Sequence, residues 1–252
     1  MKILTAHQPL YLPWLGLFHK IALADEFVYF DDVQYQDKDW NNRNRIQTHV
    51  GPLLLSIPVF NKNHYTLRLK DIMICEDTSW RKKHFKSIAI AYAKAAFAKR
   101  YLPFFEDLYS RTWEKLVDID EHILRFILSE LGIRTAFSRL SDLCLDGKKS
   151  DLVLEMCLAR KADLYIFGAQ GKHYADRAAF DRAGIRLEFQ DYHHPVYPQL
   201  RPGFEPGLSV IDLLFNCGPV ASLDVVMSGN LTREQLVSRY FSVDAVQSMG
   251  SP

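Results

Sequence analysis

The sequence predicts an α/β fold, Rossmann-like, with a mainly parallel sheet, flanking helices and an antiparallel extension. Three observations carry this. A strand–loop–helix–strand pattern opens the chain over residues 2–30, a second strand ending abruptly at a glycine lies at 163–168, and strand candidates without intervening helices fall between 53 and 74.

Each element has its own justification. Lys2 to Ala6 is a short strand candidate, and the loop after it holds Pro9 and Pro13, whose fixed φ and missing donors forbid a continuous helix. From Leu15, the apolar positions Leu15, Phe18, Ile21, Ala22 and Leu23 fit one helical face, and Phe27 to Phe30 is a β-rich run. Asp37 to Arg45 is polar and basic and reads as a loop, with strands expected at Leu53 to Val59 and Tyr65 to Ile74. Helical spacing predicts helices over Ser79 to Ala98, Pro103 to Lys115, and Asp120 to Leu131, the last closing at Gly132. A helix over Lys149 to Arg160 leads to the strand Asp163 to Phe167. After it come a short helix at Ala178 to Ala183, a strand at Ile185 to Gln190, a proline-containing loop and a helix from Ser209 to Phe215.

Composition limits the function classes. At 252 residues the chain is expected to form a single α/β domain over 1–252, with 48% hydrophobic residues for its core and a net charge of +1 that gives no electrostatic case for nucleic acid. The N-terminal apolar run is too short for a signal peptide, no stretch approaches a membrane span of roughly 20 apolar residues, and a cytoplasmic location is expected. Cys75, Cys144, Cys157 and Cys217 lack metal-ligand spacing and are expected to be free thiols. The residues identify no metal site and no cofactor.

The chemistry concentrates in loops that follow strands. His7-Gln8-Pro9-Leu10-Tyr11-Leu12-Pro13-Trp14 combines an imidazole for proton transfer, an amide that donates and accepts, and aromatics that can cover a sugar face; the same segment can equally be a proline-stiffened turn with Trp14 in the core. If the first two strands are parallel neighbours, His7-Gln8 and Asp31-Asp32 share the carboxyl edge of the sheet, where open α/β folds place ligands. Asp31 and Asp32 can hold a cation or orient a base, or cap a turn. Trp40-Asn41-Asn42-Arg43-Asn44-Arg45 is a dense donor array suited to phosphate or carboxylate. Gly168 and Gly171 let the backbone approach an anion closely or permit a tight turn, with Tyr174 following them. His194, in His193-His194-Pro195-Val196-Tyr197-Pro198-Gln199, is a further acid–base candidate.

Taken in order, His7 through Gly16, Asp31 through Tyr35, Asn42 through Arg45, Gly171 through Tyr174, His194 through Gln199 and Leu208 through Asn216 resemble the WbqC-like protein family of bacteria over nearly the whole chain. Ala169-Gln170 departs from it, since smaller residues are expected there. The resemblance implies glycyl, other aminoacyl or acyl transfer to an amino sugar or nucleotide-sugar in O-antigen and other surface polysaccharide synthesis. It implies a shared pocket formed by His7, Gln8, Asp31, Asp32, Asn42, Arg43, Arg45, Tyr174 and His194. A separate similarity, to HxGH-type nucleotidylyltransferases, rests on the histidine loop after the first strand, although Trp14-Leu15-Gly16 replaces the second histidine.

The expected catalytic residues are therefore His7, His194 and Asp32. Gln8, Tyr11, Trp14, Asp31, Asn42, Arg43, Arg45, Gly168, Gly171 and Tyr174 are expected to bind substrate. The expected partner is a small molecule such as a nucleotide-sugar, with the acyl donor or carrier open. The alternatives are a nucleotidyltransferase-like enzyme, with Asp31-Asp32 helping to hold magnesium, and a non-catalytic protein that binds a glycan precursor.

Overall fold

The structure is a computed structural model that describes residues 1–60, 66–76 and 79–241. Its centre is a five-stranded parallel sheet of β1 (Ile3–His7), β2 (Glu26–Tyr29), β5 (Ala136–Arg139), β6 (Leu164–Phe167) and β7 (Arg186–Phe189), in the order β5-β2-β1-β6-β7. A two-stranded antiparallel hairpin, β3 (Arg43–Thr48) and β4 (Gly51–Ser56), stands apart from it. The α/β class, the parallel sheet and the antiparallel extension are as the sequence predicts.

The sheet is covered on both faces, which explains why its central strands β1, β2 and β6 are largely apolar; the edge strands carry Arg139 and Arg186. Along β2 the side chains alternate: Phe27 and Tyr29 join the larger hydrophobic cluster, while Val28 joins a second one. The larger cluster takes residues from α1 (Leu15–Leu23), the hairpin, α2 (Trp80–Tyr92), α3 (Ala98–Ser110), α4 (Leu116–Glu130) and α7 (Val210–Met227). The second takes α5 (Ser150–Ala159) and Phe180 of α6 (Arg177–Arg182). Leu236 of α8 (Arg233–Phe241) packs with Ile3, Leu23, Leu164 and Ile166 in a third. Glu26 is a buried charge at the start of β2, and Lys2 at 2.8 Å and Arg160 supply its charge partners.

Several elements differ from expectation. The hairpin lies earlier than predicted, because Arg43–Thr48 is a strand despite its polar sequence. Asn42 and Asn44 point inward and give their amides to the Ile57 and Leu12 carbonyls at 2.8 and 2.6 Å. The expected second strand of that hairpin becomes a 3-10 turn at Leu69–Asp71, with isolated bridges at Arg68, Met73 and Ile74; Tyr65 lies outside the described residues. The long helix expected to Ala98 ends at Tyr92, and the Phe97 N–H donates instead to the Phe215 carbonyl at 3.0 Å. Pro103 sits inside α3 rather than opening a helix. α7 runs past Phe215 to Met227 through a kink at Gly218-Pro219. Gly218 has φ 74°, and a Cβ there would lie 2.3 Å from the Phe97 ring, so both backbone and space require glycine.

By length and composition α7 is long and apolar enough to cross a membrane. Val210, Ile211, Leu213, Leu214 and Phe215 nevertheless pack into the main core, as in a core helix. Among the described residues Cys75, Cys144, Cys157 and Cys217 form no disulfide.

Candidate functional site

The strand order places a reversal between β1 and β6. The chain leaves β1 outward through β2 to β5 on one side and leaves β6 through β7 on the other, so the loops after β1 and β6 diverge and open a crevice between them. A cavity of about 780 Å³ occupies it, lined by His7, Gln8 and Trp14 on one side and by Gly168, Gly171 and Tyr174 on the other. Lys20, Gln190, Asp191, Tyr192 and Trp40 complete much of its wall.

The loop after β1 is held by the Asn-Arg-Asn-Arg region. Asn41 donates its amide to the Pro9 carbonyl at 2.6 Å, and the Tyr11 N–H donates to the Asn41 carbonyl at 3.1 Å. Asn44 binds Leu12, whose φ of 47° is costly for a branched side chain, and the Val210 N–H donates to the Pro13 carbonyl at 2.8 Å. Trp14 then stands half-buried with its ring edge-on to Tyr192, centroids 5.5 Å apart. Any Cβ at Gly16 would strike that indole at 2.2 Å.

His7 ends β1. Its Nδ1 is 2.9 Å from the Gln8 carbonyl, which can only accept, so Nδ1 carries the proton and Nε2 keeps a free lone pair. Burial, with the Lys20 charge nearby, pulls this imidazole down to about 3, so it is neutral near pH 7. Lys20 on α1 is fully buried and donates to the Ala6 carbonyl at 2.8 Å; burial brings its amine down to about 7. Among the described residues no carboxylate forms an ion pair with it. Opposite, β6 ends at Gly168 and a 3-10 turn covers Ala169–His173. A Cβ at Gly171 would meet the Phe167 side chain at 2.6 Å, so glycine is required for the turn to fold back on the strand.

The structure thus brings His7, Gln8, Trp14, Gly168, Gly171 and Tyr174 together in one crevice. Arg45 stands just behind its rim: the guanidinium donates to the Gly207 carbonyl at 3.4 Å and lies 5.9 Å from the Trp40 ring centre, and both Gly207 and Trp40 line the cavity. Its Nε is buried and has no hydrogen-bond partner among the described residues.

The other expected residues lie elsewhere. Tyr11 is fully buried, with its hydroxyl bonded to Tyr109 and to His84 Nδ1 at 2.8 Å. Asn42 is spent on Ile57, and Arg43 reaches Asn42 at 3.5 Å. Asp31 and Asp32 do follow β2 at the same sheet edge as His7, since β1 and β2 are parallel with His7 opposite Tyr29. Their carboxylates turn away, however. Asp31 accepts from Ser141 N–H at 3.0 Å and hydroxyl at 2.7 Å. Asp32 pairs with Arg68 at 2.7 Å and Lys70 at 3.0 Å, and although burial raises its carboxyl, these two cations outweigh that and lower it. His194 packs near Tyr192, Tyr197 and Phe204, outside the cavity lining; burial lowers its imidazole, and its Nε2 is buried with no hydrogen-bond partner among the described residues.

Sequence reasoning missed Lys20 and Gln190. A signal existed for Lys20: a lone cation inside the apolar stretch Leu15–Leu23. Gln190, directly after β7, donates to the Gly16 carbonyl at 2.7 Å and reaches His19 Nδ1 at 3.0 Å.

The sheet order and the crevice define a doubly wound α/β protein with its cavity at the topological switch point. The chain belongs to the WbqC-like protein family, which matches residues 8–223. It is similar to a protein of Mycobacterium tuberculosis (strain ATCC 25618 / H37Rv) named uncharacterized protein Rv1507c, with 34% identity over 223 residues, 88% of this chain and 96% of the relative. No solved structure matches the chain.

Proposed function

We propose that the protein is a single-domain cytoplasmic transferase that moves an acyl group, glycyl or another aminoacyl, onto the amino group of a sugar or nucleotide-linked sugar in surface polysaccharide synthesis. The observation that carries this reading is the neutral His7 imidazole, with Nε2 unprotonated, lining a cavity large enough for a nucleotide-sugar. The polysaccharide context is what resemblance to the WbqC-like family implies, and the chain belongs to that family.

In this reading Trp14 and Tyr192 cover a sugar face, and Gln8 orients hydroxyls. Arg45, behind the rim, reaches a phosphate. The sugar nitrogen attacks the carbonyl carbon of an activated acyl donor, a thioester or ester. The C–N bond forms as the bond to the leaving group breaks; the anionic charge that develops on the carbonyl oxygen offsets burial and the Lys20 charge and raises the His7 imidazole above its ligand-free value, so that Nε2 takes the amine proton and returns it to the leaving group. Asp32 and Arg43, held in contacts outside the cavity, have no part in this scheme.

A thermal-shift panel of sugar nucleotides, nucleoside triphosphates and acyl carriers identifies the ligand class, since a compound bound only by the folded state raises the apparent stability. With the ligand in hand, His7→Ala should lower the transfer rate by about 10²–10⁴ with stability kept. An unchanged rate removes His7 as the base, and binding without turnover by any acyl donor overturns the transferase reading.

A further inference from the structure

Lys20 is difficult to explain as a purely structural residue. Apart from His19, its helix is apolar on the buried side, where a methionine would pack without desolvating an amine, and a buried ammonium is normally paired. Among the described residues only one of its three donors has a partner, the Ala6 carbonyl. The groups sharing the cavity with it are His7 on β1, Tyr165 on β6, Tyr174 beyond it, Asp191 and Tyr192 after β7, and Asp39 ahead of β3; His19 precedes it on α1. Neither Asp39 nor Asp191 forms an ion pair with it.

A second observation points the same way. Gly168 has φ −69°, which any residue adopts, so its backbone does not require glycine. A Cβ there would sit 3.9 Å from the Lys20 Nζ. Glycine at this position leaves the approach from the cavity to the amine uncovered.

We infer that Lys20 is the anion-binding residue of the crevice, its ammonium pairing with a phosphate or carboxylate of the ligand between the ends of β1 and β6. The inference rests on the crevice being the ligand site, as in the proposed function, and does not depend on the transfer step. Because burial brings the free amine down to about 7, an arriving anion restores the charged form, and binding takes up a proton near and above neutral pH. The neighbouring groups do not mimic this signal: His7 is held far below neutrality, burial also lowers His19, and Tyr165, Tyr174 and Tyr192 are pushed up.

Calorimetric titration of the full chain in buffers of different ionisation enthalpy tests this. The probes are UDP against uridine for phosphate, and glycine against glycinamide for carboxylate. One anionic probe is expected to bind while its neutral counterpart does not, with proton uptake and with affinity falling as pH rises above about 7. Which probe binds distinguishes the source. Lys20→Met should weaken that probe at least tenfold and abolish the uptake, while Lys20→Arg should bind it without uptake because the guanidinium stays charged. Thermal melting verifies that both variants fold, and the arginine variant alone still decides the matter if the methionine variant does not. Binding without proton uptake, equal binding by Lys20→Met, proton uptake retained by Lys20→Arg, or failure of both anionic probes overturns the inference. Anion binding with proton uptake but no acyl transfer would sink only the transferase reading.

Discussion

The Gln190 amide nitrogen lies 2.7 Å from the Gly16 carbonyl and 3.0 Å from Nδ1 of His19, so one side chain at the end of β7 clasps two points of α1. His19 Nε2 faces the Leu231 carbonyl at 2.9 Å and must carry the ring proton, which leaves Nδ1 to accept from Gln190. The bond fixes the helix that carries Lys20 against the sheet edge that carries the crevice. Gln190→Ala should therefore destabilise the fold by about 1–3 kcal/mol in urea titration, with ligand affinity falling as well; an unchanged midpoint would show that the clasp holds nothing.

Two glycines of one loop should respond differently. Gly171→Ala drives a methyl into Phe167 and should lower the melting temperature. Gly168→Ala meets only ordinary contact and should leave the melting temperature near that of the parent while weakening ligand binding. Equal losses of stability in both variants would contradict this division.

Burial lowers His84 to about 4, and its ring accepts from the Tyr11 hydroxyl. The folded state thus binds this proton more weakly than the unfolded chain, so the stability contribution is complete above the unfolded value of 6.5 and is lost as pH falls toward about 4. His84→Gln should flatten the stability profile between those limits. A profile as steep as the parent's would place the acid sensitivity elsewhere, His7 being the next candidate.

Asp120 has the opposite sign. It is fully buried, neither carboxyl oxygen has a hydrogen-bond partner among the described residues, and burial raises it well above its ordinary value. The folded state keeps the proton, so stability is fully present below the unfolded value of 3.8 and declines as pH rises from there toward the raised folded value. Asp120→Asn should remove that decline and gain on the parent with rising pH in chemical denaturation; a constant offset between the two curves would contradict a neutral Asp120.

Much of this is legible in the sequence, for identifiable reasons. Pro9 and Pro13 delimit the loop after β1, and the apolar run 164–167 closed by Gly168 marks β6, so both walls of the crevice are locatable from residue order. β5 is a four-residue edge strand and α8 is mostly polar, so neither has a clear period to detect. The asparagines of 41–44 present ligand-like donors, but a backbone carbonyl satisfies an amide as well as a substrate does, and Pro9, Leu12 and Ile57 claim them. Asp31 and Asp32 mislead similarly, because their partners Ser141, Arg68 and Lys70 come from distant sequence. Lys20 and Gln190 acquire meaning only once the sheet order brings β1, β6 and β7 together.

The most direct measurement is a crystal structure with a nucleotide-diphosphate-linked amino sugar bound. Electron density is expected in the crevice, with an anionic oxygen roughly 2.7–3.2 Å from Lys20 Nζ and the sugar nitrogen against His7 Nε2. A ligand seated on any other surface, or one in the crevice whose charge is met only by Arg68 and Lys70, would contradict the assignment.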